Sequence, residues 1–200
     1  MQVFHPLKPI YNSDSKVLIL GTMPSVKSRE LNFYYAHPKN RFWNTLSKVF
    51  ETKIGESNEE RIEFLLSNNI ALFDVLKSCD LSSSNDNSIK NPIPNNLVPI
   101  INSSNIKYIF TTGKKAYELY MKYCYKDTNI EAIYLPSPSP ANCPKGIEDI
   151  MYKEYSIIKE KLTNKWVILM FFVLLILYRN KQNHLVSFQI SSIQIFLLQE

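Results

Sequence analysis

Two stretches of the chain hold residue types that could do chemistry on a bound ligand. The first opens with Gly21-Thr22-Met23-Pro24-Ser25 and closes with Tyr34-Tyr35-Ala36-His37-Pro38-Lys39-Asn40-Arg41-Phe42-Trp43. The second, far downstream, is Leu135-Pro136-Ser137-Pro138-Ser139-Pro140-Ala141-Asn142. In the first, polar, small and aromatic residues alternate, as a pocket for a flat, polar, ring-shaped ligand requires. Asn40 offers a neutral amide whose carbonyl can accept a hydrogen bond from a water. It is equally a good N-cap for a helix beginning at Arg41. Tyr35 presents a ring face for stacking, and Tyr34 or Phe42 could form that wall instead. His37, held before a proline, reads as structural, and Trp43 as core. The hydroxyls of Ser137 and Ser139, the Asn142 amide and the free backbone N–H groups around them suit phosphate oxygens. Ser25, Lys27, Ser28 and Lys114 are further candidate phosphate contacts.

These residues need a frame, and the apolar pattern supplies one. Positions 17–20 form a short, wholly apolar run that reads as a strand buried on both faces. The segment 21–39 then reads as a loop, and 40–50 as a helix with Phe42, Trp43, Leu46, Val49 and Phe50 on one face. Ser57 followed by Glu60 is a capping-box signature for a helix that turns Ile62, Leu65 and Leu66 inward. A second strand over 70–73 ends at Asp74, whose carboxylate could hydrogen-bond a ligand's edge or cap a neighbouring loop. The Ser-, Asn- and Pro-rich stretch 81–94 reads as a loop, followed by a short helix over 97–101 and a third strand over 108–110. Thr111-Thr112-Gly113-Lys114 turns into a helix, 130–135 is the fourth strand, and 147–162 the last helix. Strands alternating with helices predict an α/β fold: a three-layer α/β/α sandwich around a central four-stranded parallel sheet. In such a sheet ligands sit beyond the carboxyl ends of the strands, where both motifs would lie.

Composition sets wider bounds. The 200 residues suffice for one domain with a sizeable core. The net charge of +5 is spread thinly, which suits an anionic partner without requiring one. Cys79, Cys124 and Cys143 show no paired spacing, so neither a zinc site nor a disulfide framework is expected, and a reducing, cytoplasmic compartment is. The N-terminus shows no signal-peptide pattern. After Lys165 the character changes: Trp166 to Tyr178 is uninterruptedly apolar, yet shorter than the about 20 residues a bilayer span needs. The expected organisation is a catalytic domain over 1–165 and an apolar tail over 166–200 outside it, with no membrane anchor and a monomeric state.

The two motifs together resemble the uracil-DNA glycosylase superfamily. They are most similar to its hypoxanthine (deoxyinosine) branch, with the mismatch-specific glycosylases next, over residues 1–162. The resemblance implies an enzyme that flips a deaminated base out of DNA, hydrolyses its N-glycosidic bond without metal or other cofactor, and leaves an abasic site. It implies Asn40 as the catalytic amide, and Tyr35, Phe42, Met23 and Asp74 around the base. It places Ser25, Lys27, Ser28, Lys114, Ser137, Ser139 and Asn142 against DNA. Two departures stand out. Many members carry an amide or carboxylate where Met23 stands, and a Thr or Ser where Pro138 stands. Hypoxanthine is the first expected substrate and uracil the second. The alternatives are a uracil- or mismatch-directed glycosylase and a catalytically inactive DNA-binding domain.

Overall fold

The computed structural model describes residues 2–81 and 89–163. Residues from Met1 to Leu162 form one compact unit. The proposed boundary at Lys165 and the apolar tail lie outside the described residues, as does 82–88 of the segment read as a loop.

Four strands make an all-parallel sheet: β2 (Val17–Gly21), β3 (Ile70–Asp74), β6 (Tyr108–Thr112) and β7 (Ala132–Leu135), in the order β3-β2-β6-β7. Every residue of β2 and β3 is buried, as expected of strands covered on both faces. The register decides the function of this sheet. Gly21 pairs with Asp74, Leu20 with Thr111 and Thr112 with Leu135, so the strands end together and release their loops at one edge.

Helices α2 (Phe42–Phe50), α3 (Asn58–Ser67), α5 (Lys114–Tyr123) and α7 (Ile147–Leu162) pack around that sheet. α2 buries Phe42, Trp43, Leu46 and Val49, the predicted face. α3 starts at a complete capping box: the Glu60 N–H donates to Ser57 Oγ at 3.2 Å, and the Ser57 N–H donates to Glu60 Oε2 at 3.0 Å. Its buried residues are Phe64 and Leu65, whereas Ile62 and Leu66 are only half-covered. Three short helices, α1 (Val26–Glu30), α4 (Val98–Asn102) and α6 (Tyr125–Thr128), complete the set among the described residues.

Two features depart from the sequence-based expectation. The loop after β2 contains α1, capped by Ser25. The segment read as a loop before α4 contributes β5 (Lys90–Pro94) to a small antiparallel sheet with β1 (Gln2–Phe4) and β4 (Leu76–Asp80), in the order β1-β4-β5. Pro92 and Pro94 argued against a strand, but an edge strand tolerates proline on its unpaired side. The lead-in is also more than a connector. Ile10 and Leu72 exchange backbone hydrogen bonds of 3.0 and 2.8 Å, covering the outer edge of β3. β1 then pairs with β4 and carries His5 across the end of β3.

Candidate active site

The shared carboxyl edge of the parallel sheet gathers Gly21, Asp74 and Thr112. Asp74 is 4% exposed. It fits because position 21 has no side chain: a Cβ there would collide with Asp74 Oδ1 and lie 3.1 Å from Tyr35 Oη. Glycine is thus required by close approach at this position. Tyr35 arrives from the loop with φ of 51°, a left-handed conformation costly for a bulky residue. Its ring compensates by stacking on Phe42, with centroids 3.9 Å apart and planes 16° from parallel. Its hydroxyl shares a hydrogen bond of 2.9 Å with Thr112 Oγ1. Phe42 is wholly buried, meets Trp43 edge-on at 5.0 Å and backs the Tyr35 ring. Tyr34 is core: its hydroxyl donates to the Lys8 carbonyl at 2.9 Å, its carbonyl accepts from Trp43 Nε1 at 3.1 Å, and burial together with the nearby Asp74 charge raises its pKa far above the usual value. Met23 is half-buried and packs against the core.

Asn40 stands at the start of α2. Its Oδ1 accepts from the Phe42 N–H at 2.9 Å in the turn that leads into the helix; the N-cap position itself is Arg41, which makes no side-chain capping bond. A carbonyl oxygen carries two lone pairs, so this bond leaves capacity for a second donor. His37 is local: its Nδ1 accepts from the Lys39 N–H at 3.1 Å.

The second motif is closed on itself by bonds between its side chains and its main chain. The Ser139 N–H donates to Ser137 Oγ and the Ala141 N–H to Ser139 Oγ, each at 3.3 Å, while Asn142 Nδ2 donates to the Ser137 carbonyl at 2.8 Å. From below, the fully buried Tyr155 donates to the Pro136 carbonyl at 2.9 Å. Gly113, at φ of 100°, lets the turn after β6 pass close to Ser137.

Arg41 joins the two motifs. Its backbone N–H donates to the Pro138 carbonyl at 3.0 Å, and its Nη1 donates to the carbonyls of Ser139 and Asn142, both at 3.0 Å. The residue following the candidate catalytic amide therefore holds the second loop in shape. Sequence reasoning passed over it, since nothing in the local pattern names a target nearly a hundred residues away. It also missed His5, whose Nε2 lies 2.8 Å from Asp74 Oδ2, and Thr112 as a partner of Tyr35.

The remaining candidates are less converged. Ser25 Oγ accepts from the Ser28 N–H at 3.2 Å, and Ser28 Oγ accepts from the Ala36 N–H at 3.3 Å, so both serines brace the loop. Lys27 pairs with Glu30 at 3.0 Å on the surface. Lys114, with an 85% exposed side chain, reaches Glu118 at 3.9 Å. Among the described residues, no cluster of His, Cys, Asp and Glu could hold a metal ion. A cavity of about 310 Å³ between α2 and α7, lined by Arg41, Asn44, Lys48 and Glu148 among others, shares only Arg41 with this constellation.

The family model described as the uracil DNA glycosylase superfamily matches residues 8–157, three-quarters of the chain and both motifs. The chain belongs to the uracil DNA glycosylase superfamily. Its curated relatives include a hypoxanthine DNA glycosylase of Methanosarcina barkeri (strain Fusaro / DSM 804), 31% identical over 112 residues, covering 55% of this chain and 71% of the relative. Another, of Methanosarcina acetivorans, bears the same name and is 28% identical over 142 residues, covering 66% and 84%. The solution NMR structure of a candidate uracil DNA glycosylase from Methanosarcina acetivorans superposes with a TM-score of 0.67 at 25% identity, over 80% of this chain and 99% of that one. The four-stranded parallel sheet flanked by helices is the fold of this superfamily. Its members are N-glycosylases, so this chain is a DNA glycosylase, and its substrate is DNA.

Proposed function

We propose that this glycosylase excises hypoxanthine first and uracil second, by hydrolysis, leaving an abasic site. The observation that carries the reading is that Tyr35 bonds Thr112 beside Gly21 and Asp74 while its ring stacks on Phe42, whose N–H Asn40 holds, in a chain whose relatives are named for hypoxanthine. The extruded base stacks on the face of Tyr35 that Phe42 does not cover. Asp74 takes the polar edge of the base, and Met23 fills space beside it. Asn40 Oδ1, with one lone pair committed to the Phe42 N–H, uses the other to orient the attacking water beneath an oxocarbenium-like sugar. The departing base carries the developing negative charge, so the reaction needs positioned dipoles and no metal. Ser25, Ser28, Ser137, Ser139 and Asn142 present small polar groups to the phosphates flanking the flipped nucleotide, and Lys27 and Lys114 add diffuse positive charge. The motifs place no lysine as a Schiff-base nucleophile, so no lyase step follows. The catalytic unit is 1–165, with the 166–200 tail outside it, acting as a cytoplasmic monomer. Among the described residues, no helix is long and apolar enough to cross a membrane.

The test is alkali-induced strand cleavage of labelled duplexes carrying one deoxyinosine or one deoxyuridine. Cutting at inosine faster than at uracil, by wild type and not by Asn40→Ala, supports the reading. Cutting at uracil alone moves the substrate to a sister branch. An Asn40→Ala protein that cuts at the wild-type rate removes Asn40 from the chemistry.

A further inference from the structure

His5 lies outside the stretch that matches the superfamily, which begins at residue 8. It nevertheless stands against the site, its side chain 2% exposed and that of Asp74 5%. Its ring packs on Phe73 at 5.0 Å between centroids, and its two nitrogens have different partners. The Leu7 backbone N–H donates to His5 Nδ1 at 3.2 Å. An amide N–H can only donate, so Nδ1 carries no proton. A neutral imidazole has one N–H, which must then sit on Nε2, and Nε2 faces Asp74 Oδ2 at 2.8 Å. The direction of this bond is therefore fixed by the backbone: His5 is neutral and donates, and Asp74 accepts. A donor on one oxygen favours the ionised carboxyl. The other oxygen, Oδ1, lies against Gly21 on the side of the Tyr35 hydroxyl.

We propose that His5 is a positioning residue for substrate discrimination: by donating from Nε2 it keeps Asp74 an acceptor-only carboxylate, which accepts from the ring N–H of hypoxanthine or uracil and repels the bare ring nitrogen of adenine or cytosine. The inference rests on the base-excision reading above and deepens it. Deamination converts the bare N1 of adenine into the N1–H of hypoxanthine, and the bare N3 of cytosine into the N3–H of uracil. A carboxylate accepts from either product, and sets its lone pairs against the lone pair of either parent base. It reads the deamination of adenine and of cytosine, so one site can serve a purine and a pyrimidine; guanine and thymine carry the same ring N–H and are not told apart by it. A protonated carboxyl would donate to adenine N1 and lose that selectivity. A buried group with a fixed role discriminates strongly, because the wrong partner leaves it unpaired.

The experiment compares full-length wild type, His5→Leu and His5→Gln in single-turnover cleavage of duplexes carrying deoxyinosine or, at the same position, deoxyadenosine. In His5→Leu the inosine-to-adenine rate ratio should fall by about tenfold or more. His5→Gln, whose amide N–H can still donate to Oδ2, should hold the ratio within about threefold. A general loss of packing would lower both rates and leave the ratio unmoved. A folded His5→Leu protein with the wild-type ratio overturns the proposal, as does a folded His5→Gln protein that loses the ratio as fully as His5→Leu. Nitrogen NMR of the wild-type His5 ring gives a readout that needs no variant: the neutral Nε2–H form is expected, and the Nδ1–H form or the cation would overturn the assignment. Should wild type cut neither lesion, the proposed reaction fails separately. In that case hypoxanthine, and not adenine, shifting the His5 signals supports the discrimination, and equal shifts or none refute it.

Discussion

The two walls of the site are built by different means. The wall formed by Tyr35, Phe42, Asp74 and His5 is made of side chains: a stacked ring pair, a buried carboxylate and an imidazole, each in van der Waals or hydrogen-bond contact with the next. The facing loop at 136–142 is made of main chain, with its carbonyls held by Arg41, Tyr155 and Asn142. Side-chain walls read the identity of what touches them. Main-chain loops set a shape that many substrates share, as a phosphate backbone does. The difference fits the proposed division of base choice at the first wall and strand holding at the second, with Asn40 and Arg41 adjacent in the chain between them.

Substitutions can break that division, and the largest effect belongs at the junction. Asn40→Ala should lower the single-turnover rate by about a hundredfold, with DNA affinity retained in a binding assay. Asn40→Asp, which keeps the bond to the Phe42 N–H, should restore thermal stability and so separate that bond from the chemistry. On the side-chain wall, Gly21→Ala forces a Cβ onto Asp74 and should cost about 1–3 kcal/mol of unfolding free energy, read by denaturant melts. On the main-chain loop, Arg41→Gln should raise the DNA dissociation constant by about tenfold, because the carbonyls of Ser139 and Asn142 lose the guanidinium. Its inosine-to-uracil preference should stay as it was, and a changed preference would erase the proposed division. Ser139→Ala removes a single 3.3 Å bond and should weaken binding by no more than about threefold.

The smallest expected effect is on pH dependence. The hydroxyl of Tyr155 under the loop is held well above its ordinary value of 10.0 by burial, and Tyr120 is pushed up to about 12 for the same reason. A group whose folded value is raised stabilises fully below the unfolded value. That contribution shrinks as pH climbs toward the folded one, because the unfolded chain gives up its proton first. Unfolding midpoints should therefore be flat through neutral pH and decline above the ordinary tyrosine value. Tyr155→Phe should make the decline shallower.

Much of this was legible in the sequence, for physical reasons that also mark the limits. The run Val17 to Leu20 reads as a doubly covered strand because continuous apolarity has few other uses, and the four parallel strands follow from such runs alternating with helices. The capping box at Ser57 and Glu60 is a local pattern and formed as written. The two motifs identify the family because each is a local string. Contacts between distant residues leave no such trace. Arg41 looks like one more basic residue beside Asn40 until the 136–142 loop is folded against it. His5 sits in a lead-in that prolines seemed to consign to connection, and its purpose appears only when β1 pairs with β4. β5 was hidden by the prolines that confine it to an edge. Asn40 carries two candidate roles in the sequence, and the structure shows a local bond to the Phe42 N–H with Arg41 at the N-cap position.

The three-residue β1 strand carries a consequence for cells that make this protein. An enzyme that cleaves bases is safe only while it ignores the overwhelming excess of undamaged ones. If His5 sets Asp74 as proposed, restraint toward adenine and cytosine hangs on a short edge strand and the histidine behind it. Trimming the chain to the stretch it shares with its superfamily would leave the parallel sheet and both motifs in place and discard His5. Such a shortened enzyme should be a mutator, scattering abasic sites through healthy DNA and slowing the growth of its host.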